Sequence, residues 1–167
     1  MKKISFACVY IGLFALLAAC NIFRLPSSDP FYSSSGDWDS IRFPLIKPYE
    51  VVNIGFGWSI QLHISPLAKE INWYISLNDV EKISVKNSVI MIYTPYKKDV
   101  IEEMGEKVLN WFVIIPDKEI ETGFDNEDDF LRYIQEYGVN EVAWESPDTL
   151  YQRFLHTGCL EWIPGCQ

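Results

Sequence analysis

Three observations predict an α+β fold. Apolar residues alternate with period two through the middle of the chain, the spacing turns helical near residue 126, and the composition is 49% hydrophobic with 22% charged residues. The expected architecture is an antiparallel β-sheet meander of about five to seven strands followed by two C-terminal helices. A chain of 167 residues with 15% aromatics suits one packed domain and excludes disorder, collagen and a polytopic membrane protein. The formal charge of −9, with only 14 basic residues, argues against a nucleic-acid partner, because such a surface must neutralise a run of phosphates.

The elements follow in order. Residues 41 to 54 hold Ile41-Arg-Phe-Pro-Leu-Ile and Tyr49-Glu-Val-Val-Asn-Ile, which predict one or two strands, with Pro44 and Pro48 confined to edges or ends. Trp58, Ile60, Leu62 and Ile64 share one face of a half-buried strand against Ser59, Gln61, His63 and Ser65. Ile71, Trp73, Ile75 and Leu77 repeat the pattern, as do Ile83 and Val85 between Lys82, Ser84 and Lys86. Val89 to Tyr93 is apolar on both faces, as a central strand is, and Lys86-Asn87-Ser88 supplies a tight hairpin before it. Residues 95 to 110 read as a surface excursion with a helical turn or two, since Gly105 costs about 1 kcal/mol within a helix. Trp111 to Ile115 is a further strand.

In the last third, Asp125 or Asn126 caps a helix whose Phe130, Ile134 and Tyr137 share a face, and Gly138 ends it. Ser146-Pro147-Asp148 opens a second helix by the cap-then-proline rule. Leu150, Tyr151, Phe154 and Leu155 are expected to face inward, and Gly158 stops the helix.

The N-terminus carries an address rather than structure. Lys2 and Lys3 precede an apolar run from Ile4 to Leu17 that is too short for a comfortable membrane span and reads as a secretory signal. The run closes in Leu17-Ala18-Ala19-Cys20, which resembles the lipobox of bacterial lipoproteins. That resemblance implies a signal peptide over residues 1–19, cleaved before Cys20, and a lipid anchor on Cys20. Two or more acyl chains hold a domain on a membrane stably, since each buried methylene is worth roughly 0.8 kcal/mol. Asn21 stands where many inner-membrane lipoproteins of Gram-negative bacteria have Asp, which favours an outer membrane facing the periplasm in such a host. Removing 19 residues from 167 leaves 148, and losing Lys2 and Lys3 takes the formal charge from −9 to −11. Residues 20–40, rich in Ser, Pro and Gly, are expected to tether a globular domain over 41–167.

The mature fold then keeps Cys159 and Cys166, with Pro164-Gly165 able to turn the chain between them. In an oxidising envelope a disulfide is expected. A zinc site would need two further ligands, and the spacing is not CxxC.

Candidate functional residues concentrate in one acidic stretch. From Asp117 to Asp148 there are eleven carboxylates against Lys118 and Arg132. Glu121, Asp125, Glu127, Asp128 and Asp129 form either a solvated helix start that complements the macrodipole or a docking surface for a basic protein partner. Asp125 to Asp129 lacks the order of an EF-hand loop, so no metal or cofactor is expected. His63 falls on the polar face of its strand and His156 near a helix C-terminus. Gly55-Phe-Gly57 reads as a hairpin turn, and no Gly-x-Ser-x-Gly elbow is present. No catalytic residue is assigned, and the domain is expected to be non-catalytic. Trp58, Trp73 and Trp111 are expected in the core, and Trp38, Trp144 and Trp162 at its edge or as aromatic anchors for a partner or glycan.

The order of lipobox, short tether, strand meander, the Trp111-Phe-Val-Ile-Ile-Pro116 strand and the Gly123-Phe then Glu127-Asp-Asp-Phe130 helix resembles small uncharacterised bacterial lipoproteins. A weaker similarity is to small acidic immunity proteins of bacterial competition systems. Local charge without catalytic groups points to a lipid-anchored binding module that occludes a partner, with a structural or assembly lipoprotein of the envelope as the alternative. A hydrolase is the third reading.

Overall fold

The computed structural model describes residues 29–63, 76–95 and 109–166. The signal peptide, Cys20, Trp73, Ile64 and most of the 95–110 excursion lie outside them. Two antiparallel sheets and two C-terminal helices make an α+β fold. Sheet I has the order β1 (Gly36–Asp37), β2 (Ser40–Pro44), β3 (Glu50–Asn53), β4 (Trp58–Gln61), β5 (Ser76–Leu77). Sheet II has β6 (Lys82–Lys86), β7 (Val89–Tyr93), β8 (Trp111–Ile115), β9 (Ile120–Phe124). The helix α1 (Pro30–Ser33) precedes sheet I, and α2 (Glu127–Gln135) and α3 (Pro147–Thr157) follow sheet II.

The described strands number nine rather than five to seven, and the meander breaks in two. The break is local: Val80 N–H bonds to Trp58 O in sheet I at 3.0 Å, and Glu81 N–H bonds to Tyr93 O in sheet II at 3.0 Å. Asp79, at φ 54°, turns the chain just before this handover. Buried Val80 is thus the hinge point between the sheets.

Side-chain alternation then sorts the sheets into layers. On sheet II, Val85, Ile90 and Ile114 line up across the strands, as do Ile83, Ile92 and Phe112. These residues pack with Phe43, Val51, Ile60 and Leu77 of sheet I and with Leu150 and Phe154 of α3 in one core. The opposite face presents Val89, Met91, Val113 and Ile115, covered by Phe130 and Ile134 of α2. A strand such as β7, buried on both faces, follows directly from its unbroken apolar run.

Turn chemistry fixes the joints. Asn87 and Ser88 have φ 52° and 62°, the two positive angles that a two-residue type I′ hairpin requires. Asn126 caps α2 by accepting from Asp129 N–H at 2.9 Å, and Ser146 caps α3 by accepting from Thr149 N–H at 3.2 Å, with Pro147 at its first position. Gly158 closes α3 at φ 65°. Cys159 and Cys166 sit at disulfide distance, their Cα atoms 5.5 Å apart.

Four expectations are corrected. The stretch assigned to the tether is folded from Asp29 onward: Tyr32 is buried in the main core, Arg42 donates to the Phe31 and Ser34 carbonyls at 3.0 and 2.9 Å, and β1 adds a strand before residue 40. Leu155 is 46% exposed, because it sits about 100° round the helix from Phe154 and about 140° from Leu150. Ser84 is buried, since its place opposite Met91 turns it toward the α2 layer, while Lys82 and Lys86 at the ends of the strand stay exposed. The strand β9 falls within the stretch read only as acidic.

Candidate functional site

The five acidic candidates divide between two faces of sheet II. Glu121 pairs in register with Ile114 and points into the space between the sheets. Asp125, Glu127, Asp128 and Asp129 gather at the start of α2, which covers the other face. They do not form a single surface with Glu121.

At α2 the charges are partly engaged. Asn126 Nδ2 donates to Asp125 Oδ1 at 3.0 Å and to Asp129 Oδ2 at 2.7 Å, and Arg132 Nη1 donates to Asp129 Oδ1 at 2.8 Å. The Asn126 hydrogen bond first, and the Arg132 pair with it, hold the Asp129 carboxyl below its ordinary range. Glu127 and Asp128 remain exposed in the first turn, where they complement the helix dipole.

Glu121 instead anchors a node that periodicity does not reveal. Tyr49, fully buried, donates its hydroxyl to Glu121 Oε1 at 2.7 Å, and the His63 backbone N–H donates to the same oxygen at 2.6 Å. The Tyr49 and His63 rings meet edge to face with centroids 5.1 Å apart. Burial first, and then the Glu121 carboxylate, push the Tyr49 phenol well above its ordinary value. The node ties the turn before β3 and the end of β4 to the edge strand β9, one sheet to the other. Its chemistry is that of a cross-link: phenol and amide donate, and a carboxylate accepts. The sequence holds one signal for it, the alternation Ile120, Thr122, Phe124, which places Glu121 on the face opposite to α2.

A second polar link, a two-pronged pair between Arg153 and Glu145, fastens α3 to the loop that bridges onto β6 through Ile83 and Glu145. Trp58 Nε1 donates to Asp148 Oδ1 at 2.8 Å and so fixes the start of α3 against sheet I.

The remaining candidates are placed as follows. His63 and His156 are both exposed, at the end of β4 and in the last turn of α3. Clefts of about 250 Å³, beside Tyr32, Asn87 and Trp162, and about 420 Å³, beside Ser88, Lys118 and Tyr137, include neither histidine in their walls. Among the described residues, no three His, Cys, Asp or Glu side chains are grouped to hold a metal ion. None of the described helices is long and apolar enough to cross a membrane. Trp58 is buried, Trp144 stacks on Phe130 at 5.9 Å, and Trp162 Nε1 donates to Pro44 O at 3.0 Å, so all three belong to the packing. Trp38 does not, being 95% exposed, and Phe56 between its two glycines is 90% exposed.

No protein-family model, curated protein or solved structure matches this chain.

Proposed function

We propose that the protein is a lipid-anchored module of the bacterial cell envelope that binds and occludes a basic protein partner, as an inhibitor or immunity protein does, without catalysing a reaction. The observation that carries the reading is the order of basic start, apolar run and Leu17-Ala18-Ala19-Cys20, which gives the domain a membrane address. The mature side-chain charge of −11, obtained from −9 by removing Lys2 and Lys3, supports attraction of a cationic partner at rates that fall with salt. Tyr49 and Glu121 bond to each other and join two sheets, which supports a structural use for them.

The test is cross-linking of the full-length protein in cells, purification from the membrane fraction and mass spectrometry of what stays bound. One stoichiometric basic protein, with an association that weakens in salt, supports the reading. Recovery only of envelope assembly proteins, with membrane integrity altered on deletion, would favour the structural alternative. Hydrolytic turnover that is lost on substituting His63 or His156 would replace both.

A further inference from the structure

Two hairpin tips at one end of sheet I each expose an aromatic side chain. The β1–β2 tip is Trp38-Asp39, since Asp37 pairs with Ser40, and the β3–β4 tip is Ile54 to Gly57, since Asn53 pairs with Trp58. Ile41 pairs with Asn53, so the register of β2 and β3 sets both tips at the same end of the sheet. Trp38 is 95%, Phe56 90% and Ile54 62% exposed. Trp and Phe side chains each carry roughly 150–250 Å² of surface able to be buried against a partner, and here both are left in solvent at one end of the sheet. The tips are held in shape: Asn53 Oδ1 accepts from Gly55 N–H at 2.7 Å, and Gly55 and Gly57 have φ 97° and 106°. A Cβ at Gly36 would collide with the Ser40 carbonyl, so the first hairpin requires its glycine.

Charge says what this surface takes. Exposed Asp37 and Asp39 flank Trp38, Asp79 lies beside Gly57, and neither tip contains Lys or Arg. At the far end of the same strands, Asp29 bonds Lys47 Nζ at 3.0 Å in the turn between β2 and β3. Asp29, the first described residue, thus sits at the end of sheet I opposite the tips.

We propose that Trp38, Ile54 and Phe56, within the carboxylate rim of Asp37 and Asp39, are the docking surface for a cationic protein segment with apolar side chains interspersed. The inference rests on the partner-binding reading and moves the contact from α2 to the end of sheet I. An aromatic anchor in an acidic rim accepts Lys and Arg twice over, by ring-face attraction and by charge.

The experiment uses the full-length chain in detergent and, as probe, a fluorescent peptide of alternating lysine and leucine, titrated at low and high salt. Trp38→Ala and Phe56→Ala are expected to weaken binding at least tenfold each, Asp37→Asn with Asp39→Asn to flatten its salt dependence, and Glu127→Gln with Asp128→Asn to leave it unchanged. Because the tip side chains are exposed, these variants should melt with the parent. Peptide binding that survives the tip substitutions, or is lost with the α2 substitutions, overturns the site alone. No binding by the parent overturns both the site and the cationic-partner reading. Tip-dependent binding to phosphatidylglycerol vesicles, or tip-dependent self-association in sedimentation, assigns the surface to a membrane or a second copy and overturns the proposal. Acylation plays no part in the titration, so failure of the anchor leaves its result intact.

Discussion

Tyr49→Phe isolates the node that joins the two sheets. The substitution keeps the buried ring and deletes only the hydroxyl that donates to Glu121 Oε1 at 2.7 Å. Glu121 retains the His63 N–H at 2.6 Å and is half-buried, so water partly replaces the lost donor. A hydrogen bond to a charged group contributes roughly 1.5–3 kcal/mol, and partial rehydration brings the expected loss to about 1–2 kcal/mol. The alkaline limb of stability gives an independent reading. Tyr49 titrates higher when folded than unfolded, so its contribution is complete below the unfolded phenol value and declines as pH rises through the folded one. Between those values one proton separates the two states, and stability falls by about 1.4 kcal/mol per pH unit above pH ~10. Tyr133, pushed up to about 12 by burial first and then by its hydrogen bond with Tyr137, adds a second such decline that the variant keeps. Urea unfolding followed by tryptophan fluorescence from pH 8 to 11 should show Tyr49→Phe with a lower midpoint at pH 8 and a shallower alkaline decline. An unchanged midpoint together with an unchanged slope would refute the node as a stabilising link.

Three further outcomes follow from particular contacts. Asn126→Ala removes the side chain that accepts from Asp129 N–H and should cost about 1 kcal/mol in chemical denaturation, with Asp129 titrating closer to its ordinary range by carbon-detected NMR. Reducing Cys159–Cys166 frees a loop with a sequence separation of seven; the chain-entropy relation gives a loss of about 2.5 kcal/mol, read as a lower melting temperature in reductant that Cys159→Ser with Cys166→Ser reproduces. Gly123→Ala puts a methyl 2.8 Å from Leu109 Cδ1 and 3.0 Å from the Phe112 ring, so overpacking of about 1–3 kcal/mol is expected by the same denaturation assay.

Much of the fold was legible because local chemistry and tertiary packing agree. The β6–β7 hairpin follows from alternation meeting an Asn-Ser turn, and α2 and α3 from side-chain caps followed by apolar residues at helical spacing. Where a contact joins residues far apart in the chain, periodicity carries no signal. Tyr49 and Glu121 are 72 positions apart, and the division into two sheets depends on which neighbours Val80 and Glu81 bond. Composition misled at Pro30-Phe-Tyr-Ser33, where Asp29 accepts from Phe31 N–H at 3.0 Å to start a turn that lets Tyr32 into the core. It misled again at Trp38, whose aromatic character suggests the core edge while its place at a two-residue tip leaves it in solvent. The acidic candidates were visible as charge, yet only the register of β9 separates Glu121 from the carboxylates at the start of α2.

The most direct test of the lipid-anchored reading is intact-mass and peptide mass spectrometry of the full-length protein recovered from the membrane of a lipoprotein-processing host. The reading predicts an N-terminal peptide that begins at Cys20 and carries acyl chains, absent from Cys20→Ser, which should also leave the membrane fraction. A chain that still begins at Met1, or that is cut elsewhere with Cys20 unmodified, would contradict it.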